Sequence, residues 1–114
     1  KADAYDVKRE AAMLSAANFS SHPSRLLVGQ FSSINSAAYA HGAAYGDEDQ
    51  YARAIAAKAI FLDELLATIS APDQPPTTLL ITSDHGHLDR GGSGGGSAEE
   101  RHVPLLAVRL GSMI

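Results

Sequence analysis

The stretch ITSDHGHLDRGGSGGGS, residues 81–97, runs from a β-rich segment into an aspartate, two histidines and a glycine-rich loop. Asp84 and His85 are adjacent oxygen and nitrogen donors, a pair suited to zinc or another divalent ion. The same residue types also have ordinary structural uses. An aspartate after a strand often bonds the backbone of its own turn, and glycines admit positive φ. Other chemistries fit the stretch less well. Ser33, Ser36, Ser93 and Ser97 do not make a serine hydrolase, because no Gly-x-Ser-x-Gly follows a strand and opens a helix; GGSGG is expected to lead into further loop. Gly91 to Gly96 lack the Lys-Ser/Thr and the following helix of a phosphate-cradling loop. His22 and His102 have no supporting neighbours in sequence.

The elements that must position these groups follow from periodicity. AYDVKREAAMLSAAN, residues 4–18, is rich in helix formers and predicts a helix that SSHPS ends. RLLVGQF, residues 25–31, predicts a short strand buried on both faces, with Gly29 weakening it. From Asp47 onward, Tyr51, Ile55, Ala59, Leu62, Leu65, Leu66 and Ile69 recur at three- and four-residue steps, which predicts a helix of about six turns. Asp47 is its expected cap, with Gln50 in capping-box position, and Pro72, Pro75 and Pro76 end it. TTLLITS (77–83) and PLLAVRL (104–110) read as two further strands. Strand, long helix, strand predicts a right-handed βαβ unit with parallel strands, hence an α/β fold. Ligands of such sheets collect beyond the carboxyl ends of the strands, where the loops at 32–46 and 81–97 lie.

Composition bounds the function. The chain has 114 residues, 45% hydrophobic and 19% charged, which suits one globular unit. A net charge of −4 with scattered Lys and Arg gives no footprint for nucleic acid. There is no cysteine, so any metal would rest on His, Asp or Glu. The longest apolar run is interrupted by Lys58, Asp63 and Glu64, so no membrane-spanning segment is expected. Asn18-Phe19-Ser20 matches the glycosylation acceptor pattern, which arises often by chance.

Taken together, LLITSDHGHLDRGG and the PLLAV that begins eleven residues after Ser93 resemble the C-terminal half of the alkaline phosphatase superfamily. Within it the likeness is to the type I phosphodiesterase and GPI ethanolamine phosphate transferase branch, whose pattern is strand, Asp-His-Gly, a short spacer, Gly-Gly-His-Gly-Gly, then Val-Pro-Leu. INSAAYAHGAAYGDEDQYARAI is similar to that branch's Val-Asp-x-x-x-His-x-x-Gly segment, which leads through a Tyr into a long helix. The likeness spans roughly residues 25–110. GGSGGGS has the composition of a flexible linker, yet the spacing from Ser93 to Pro104 matches the family's.

The resemblance implies a partial α/β domain over residues 1–114, a parallel-sheet βαβ fragment of an alkaline phosphatase-like three-layer sandwich. A missing N-terminal half or another protein chain would complete its sheet. It implies an extracytoplasmic or luminal location. It also implies two metal ions, and here the chain departs from the family. Asp84 and His85 keep the ligand types of one site, a vestigial or partial half-site whose other donors and nucleophile lie in the N-terminal half. In the other site Asn35, Tyr39 and Ser93 stand where the family has Asp, His and His. One carboxylate and two imidazoles thus become three neutral, weaker donors, and a dication loses most of its binding energy. His41 and His87, each two residues from a family ligand position, are the possible substitutes. The expectation is a non-catalytic or impaired subunit without a cofactor, acting in a larger assembly. The alternative is a metal-dependent phosphodiesterase or phosphotransferase using one zinc or manganese ion at Asp84 and His85, with its nucleophile elsewhere. A plain α/β interaction module also fits the composition.

Overall fold

The computed structural model describes residues 2–23, 26–44 and 49–111. In order these form α1 (Ala2–Ala16), α2 (Ser33–His41), α3 (Gln50–Ile69), β1 (Thr77–Thr82), α4 (Ala98–Arg101) and β2 (Leu105–Leu110). The chain is therefore mixed α/β.

α3 is the spine. Asp49 caps it, its carboxylate accepting from Ala52 N–H at 2.6 Å. The expected cap, Asp47, lies outside the described residues. At the other end the Ser70 hydroxyl donates to Leu66 O at 2.7 Å before the prolines. The buried face carries Phe61, Leu65 and Ile69, packed with Ala17 and flanked by Met13, Leu14, Leu27, Phe31, Leu62, Leu79 and Leu110. Burying each large side chain of this kind stabilises by roughly 1.5–3 kcal/mol. Phe61 is absent from the apolar stripe read from sequence, whereas Ala59 in that stripe is exposed. The ring of Phe61 meets Phe31 at 5.0 Å, tilted by 54°.

The expected βαβ unit, with parallel strands at 25–31 and 77–83 on either side of α3, is not formed among the described residues, because no strand precedes α3. β1 and β2 pair antiparallel, Thr77 opposite Leu110 and Thr82 opposite Leu105, in a sheet of two strands among the described residues. The intervening glycine loop and α4 turn the chain back beside β1, and an antiparallel ladder needs no helical crossover. Of the strand expected at 25–31, residues 26–31 have no regular secondary structure, and Arg25 lies outside the described residues. An apolar run reads alike whether it enters a ladder or packs as irregular chain. Here Leu27 and Phe31 pack against the helical core, and Leu26 and Val28 are exposed. Gly29 admits Met13, because a Cβ at that position would lie 2.5 Å from the Met13 sulfur.

Two further elements replace expected loop. α2 occupies the first half of the segment 32–46, and α4 follows the glycine-rich stretch. α2 has no side-chain cap of its own. Its first turn is capped from α1 instead: Asp6 accepts from Ser32 N–H at 2.9 Å and Ser33 N–H at 3.0 Å. Lys58 of α3 closes the arrangement, 3.2 Å from Asp6 and 2.6 Å from Glu10. One charge cluster thus joins the three long helices. Near the other end of α1, the buried Gln74 accepts from Phe19 N–H and donates to Asn18 Oδ1, each at 2.8 Å, tying the α1 terminus to the turn before β1.

Cross-strand partners share a face. Leu79 and Leu110 turn toward α3. The opposite face carries Leu80 and Leu105, 63% and 69% exposed. On β2 the helix-side residues Leu106 and Val108 are exposed as well. Among the described residues no helix is long and apolar enough to cross a membrane.

Candidate functional site

The glycine loop returns across the C-terminal end of α2, and its backbone makes that approach possible. Ala43 N–H donates to Asp89 O at 2.8 Å. Gly91 is buried at φ +98°, and a Cβ there would lie 1.9 Å from Ala38 O, so neither the conformation nor the space accepts a side chain. A short turn holds the strand-proximal part, with Gly91 N–H to Leu88 O at 2.7 Å and Leu88 N–H to Gly92 O at 2.8 Å.

The far side of the loop is held by Glu100, which the sequence reading passes over. Ser97 and Glu100 form the S-x-x-E pattern of a capping box at the start of α4. Glu100 turns back to the loop, accepting from Gly95 N–H at 2.6 Å and from the Ser97 hydroxyl at 2.7 Å. The Ser97 hydroxyl and then the Gly95 N–H hold its carboxyl below the usual glutamate range. The S-x-x-E spacing was the available signal.

This scaffold brings together residues from two distant stretches. The Tyr39 and Ser93 hydroxyls hydrogen-bond each other. The His87 ring meets Tyr39 edge-on at 5.5 Å, Tyr51 at 6.5 Å and His85 at 5.0 Å. Tyr51 reads from sequence as a core-facing position on α3. Its proximity to His87 depends on how α3 packs against the loop and carries no local signal. Each imidazole is tethered through Nδ1, His85 to Gly86 O at 2.8 Å and His87 to Gly91 O at 3.1 Å. Asp84 is largely solvated, its Oδ1 3.7 Å from His85 Nε2.

The other expected positions fall elsewhere. Asn35 Oδ1 is buried without a hydrogen-bond partner among the described residues. His41 lies two residues along α2 from Tyr39, a step that turns a helical side chain away from its neighbour. It lines an open cleft of about 430 Å³ between the helices, with Ser36, Arg53 and Lys58. His87 therefore belongs to the loop cluster and His41 does not.

The donor set at Asn35, Tyr39 and Ser93 does not fit a divalent ion. Two of the three groups are neutral hydroxyls engaged with each other, and the third is a neutral oxygen closed off from solvent. Asp84 and His85 are donors of the right type but make only a pair, fewer than the three or four of ordinary zinc sites. Among the described residues no three His, Asp or Glu side chains group in a way that could hold an ion. Compared with models of known protein families, with curated proteins and with solved structures, the chain matches none.

Proposed function

We propose that the chain is a non-catalytic or strongly impaired alkaline phosphatase-like subunit with a structural or interaction role in a larger assembly. The observation that carries this reading is the Tyr39–Ser93 hydrogen bond. Where the resemblance expects two imidazoles to grip a cation, two neutral side chains satisfy each other and fasten α2 to the glycine loop. The sheet supports the assembly role. β2 is an apolar strand exposed on both faces, the pattern of an interior strand, and its edge away from β1 is unpaired among the described residues. Its occupant would be another protein segment that extends and covers the sheet.

The test is hydrolysis of aryl phosphate esters by the full chain with added zinc or manganese. The expected rate is indistinguishable from buffer containing the metal. Turnover that disappears in Asp84→Ala overturns the proposal in favour of a one-metal phosphodiesterase or phosphotransferase. That second reading draws on the tethered ring of His85, whose Nε2 faces Asp84 Oδ1 at 3.7 Å. A divalent ion held by that pair would supply Lewis acidity toward a phosphoryl oxygen.

A further inference from the structure

The sequence pattern Asn18-Phe19-Ser20 has no part in the glycine-loop site, and the structure gives it a definite shape. It lies in the turn that follows α1, where Asn18 O accepts from Ser21 N–H at 3.2 Å and from His22 N–H at 2.8 Å. One side chain, Gln74 in the turn before β1, bonds all three of its residues. The backbone N–H of Phe19 can only donate, so the Gln74 atom 2.8 Å away is Oε1 and the orientation of that amide is fixed. Gln74 Nε2 is then a donor, to Asn18 Oδ1 and to Ser20 Oγ, each at 2.8 Å. That fixes the second amide in turn. Asn18 holds its oxygen against the buried Gln74 and turns its nitrogen away from it. Asn18 Nδ2 has no hydrogen-bond partner among the described residues and is not one of their closed-off polar atoms, so it meets solvent.

We infer that Asn18 is an acceptor for N-linked oligosaccharide, and that the folded chain carries the sugar without giving up a contact. The donor class is an oligosaccharide joined through its anomeric carbon to a lipid pyrophosphate. A bond forms between Asn18 Nδ2 and that carbon, the carbon–oxygen bond to pyrophosphate breaks, the lipid pyrophosphate leaves with the electron pair, and one Nδ2 proton passes to solvent. Asn-x-Ser is the pattern such a transfer needs, and the pattern alone arises by chance. Orientation distinguishes this one. A glycosylated amide keeps its carbonyl oxygen and one N–H, so the bond from Gln74 to Asn18 Oδ1 survives and the sugar leaves from the side that faces water. The opposite orientation would drive the sugar into the buried Gln74. The surroundings also suit a bulky, solvated group: Ser20, Ser21, His22, Pro23, Pro72 and Asp73 are exposed. Gln74 lies 56 positions after Asn18, so during synthesis the acceptor is free before its partner exists. The other asparagine, Asn35, is followed by Ser36 and Ala37 and offers no such pattern. This inference does not rest on the non-catalytic reading, since inert and active chains alike can carry a glycan; it uses only the luminal or extracytoplasmic location that the resemblance implies.

The experiment takes the full chain from its own cells, treats it with peptide N-glycosidase in heavy-oxygen water and reads the tryptic peptide 10–25 by mass spectrometry. Asn18 should appear as aspartate carrying one heavy oxygen, and an unmodified asparagine there overturns the inference. A second arm translates the full chain behind a cleavable secretory leader in the presence of endoplasmic-reticulum microsomes. One mobility shift, reversed by the glycosidase, is expected for the parent and for Ser20→Thr, and none for Asn18→Gln or Ser20→Ala. A parent that stays unshifted, or a shift that survives Asn18→Gln, overturns the inference. The fit of the sugar to the fold has its own readout, which needs no variant. The Phe19 amide, which donates to Gln74, should exchange as slowly in the glycosylated chain as in the bare one. Exchange about tenfold faster or more would mean that the sugar displaces Gln74, which also overturns the inference.

Discussion

The two ends of α2 are held by opposite means. At its start the chain commits charge: Asp6, 1% exposed, accepts two backbone N–H groups and meets Lys58, whose ammonium also meets Glu10. At its end the ties are neutral: a phenol on a serine hydroxyl, and backbone bonds between the glycine loop and Gly42–Ala43. Buried charge is tolerated only when it is paired and hydrogen-bonded, and the first cluster meets that condition. The second lies where the resemblance expects the densest charge, and it holds none. In this chain ionic interactions stabilise the start of α2, uncharged contacts join its end to the glycine loop, and a carboxylate, Glu100, holds the far side of that loop.

Asp6→Ala is the strongest way to break this contrast. It strands two N–H groups at the start of α2 and leaves Lys58 with Glu10 alone, so a loss of about 3 kcal/mol is expected in urea unfolding. The pH dependence sharpens the point. Burial pushes the Asp6 carboxyl up, but the hydrogen bonds from Ser32, Ser33 and Lys58 outweigh it and hold it below the usual 3.8. A depressed folded-state value means stability that is present above the unfolded pKa and lost as pH falls through the folded one. The gap between parent and Asp6→Ala should therefore be constant above about pH 5 and shrink below about pH 4. Lys58 behaves in the opposite sense. Burial lowers its value, Glu10 and Asp6 raise it further, and the net is above 10.5. Its contribution is present at neutral pH and is lost as pH rises through that folded value.

At the other end of α2, Gly91→Ala meets both a positive φ and the Ala38 carbonyl. A loss of about 2 kcal/mol is expected, with amide exchange accelerated in residues 86–96 but not in α3. An equal loss of protection in α3 would mean that the corner is not an independent unit. The smallest effect belongs to Tyr39→Phe, which removes one hydroxyl from a partly exposed pair. About 0.5–1 kcal/mol is expected by thermal unfolding, with Ser93→Ala giving the same and the double variant no more than either.

The sequence by itself determined what depends on near neighbours. The α3 helix follows from apolar spacing and the downstream prolines, α1 from its alanine-rich composition, and β1 and β2 from short β-rich runs between turn signals. Asp84, His85 and His87 stand together because they are almost adjacent in the chain. Tertiary structure decided what depends on residues far apart. Asp6 caps α2 across 26 positions, a link with no local signature, and residues 33–41 alone read as loop. Strand partnership has no local mark either, because an apolar run does not specify its neighbour: residues 26–31 join no ladder, and the chain returns through the glycine loop so that β2 pairs antiparallel with β1. Tyr39 meets Ser93 across 54 positions, and His41, two residues further on, turns into a different cleft. Periodicity and composition act within one or two turns of chain, whereas the pairing of hydroxyls, carboxylates and backbone groups is settled only when the helices and loop pack and each buried polar atom must find a partner.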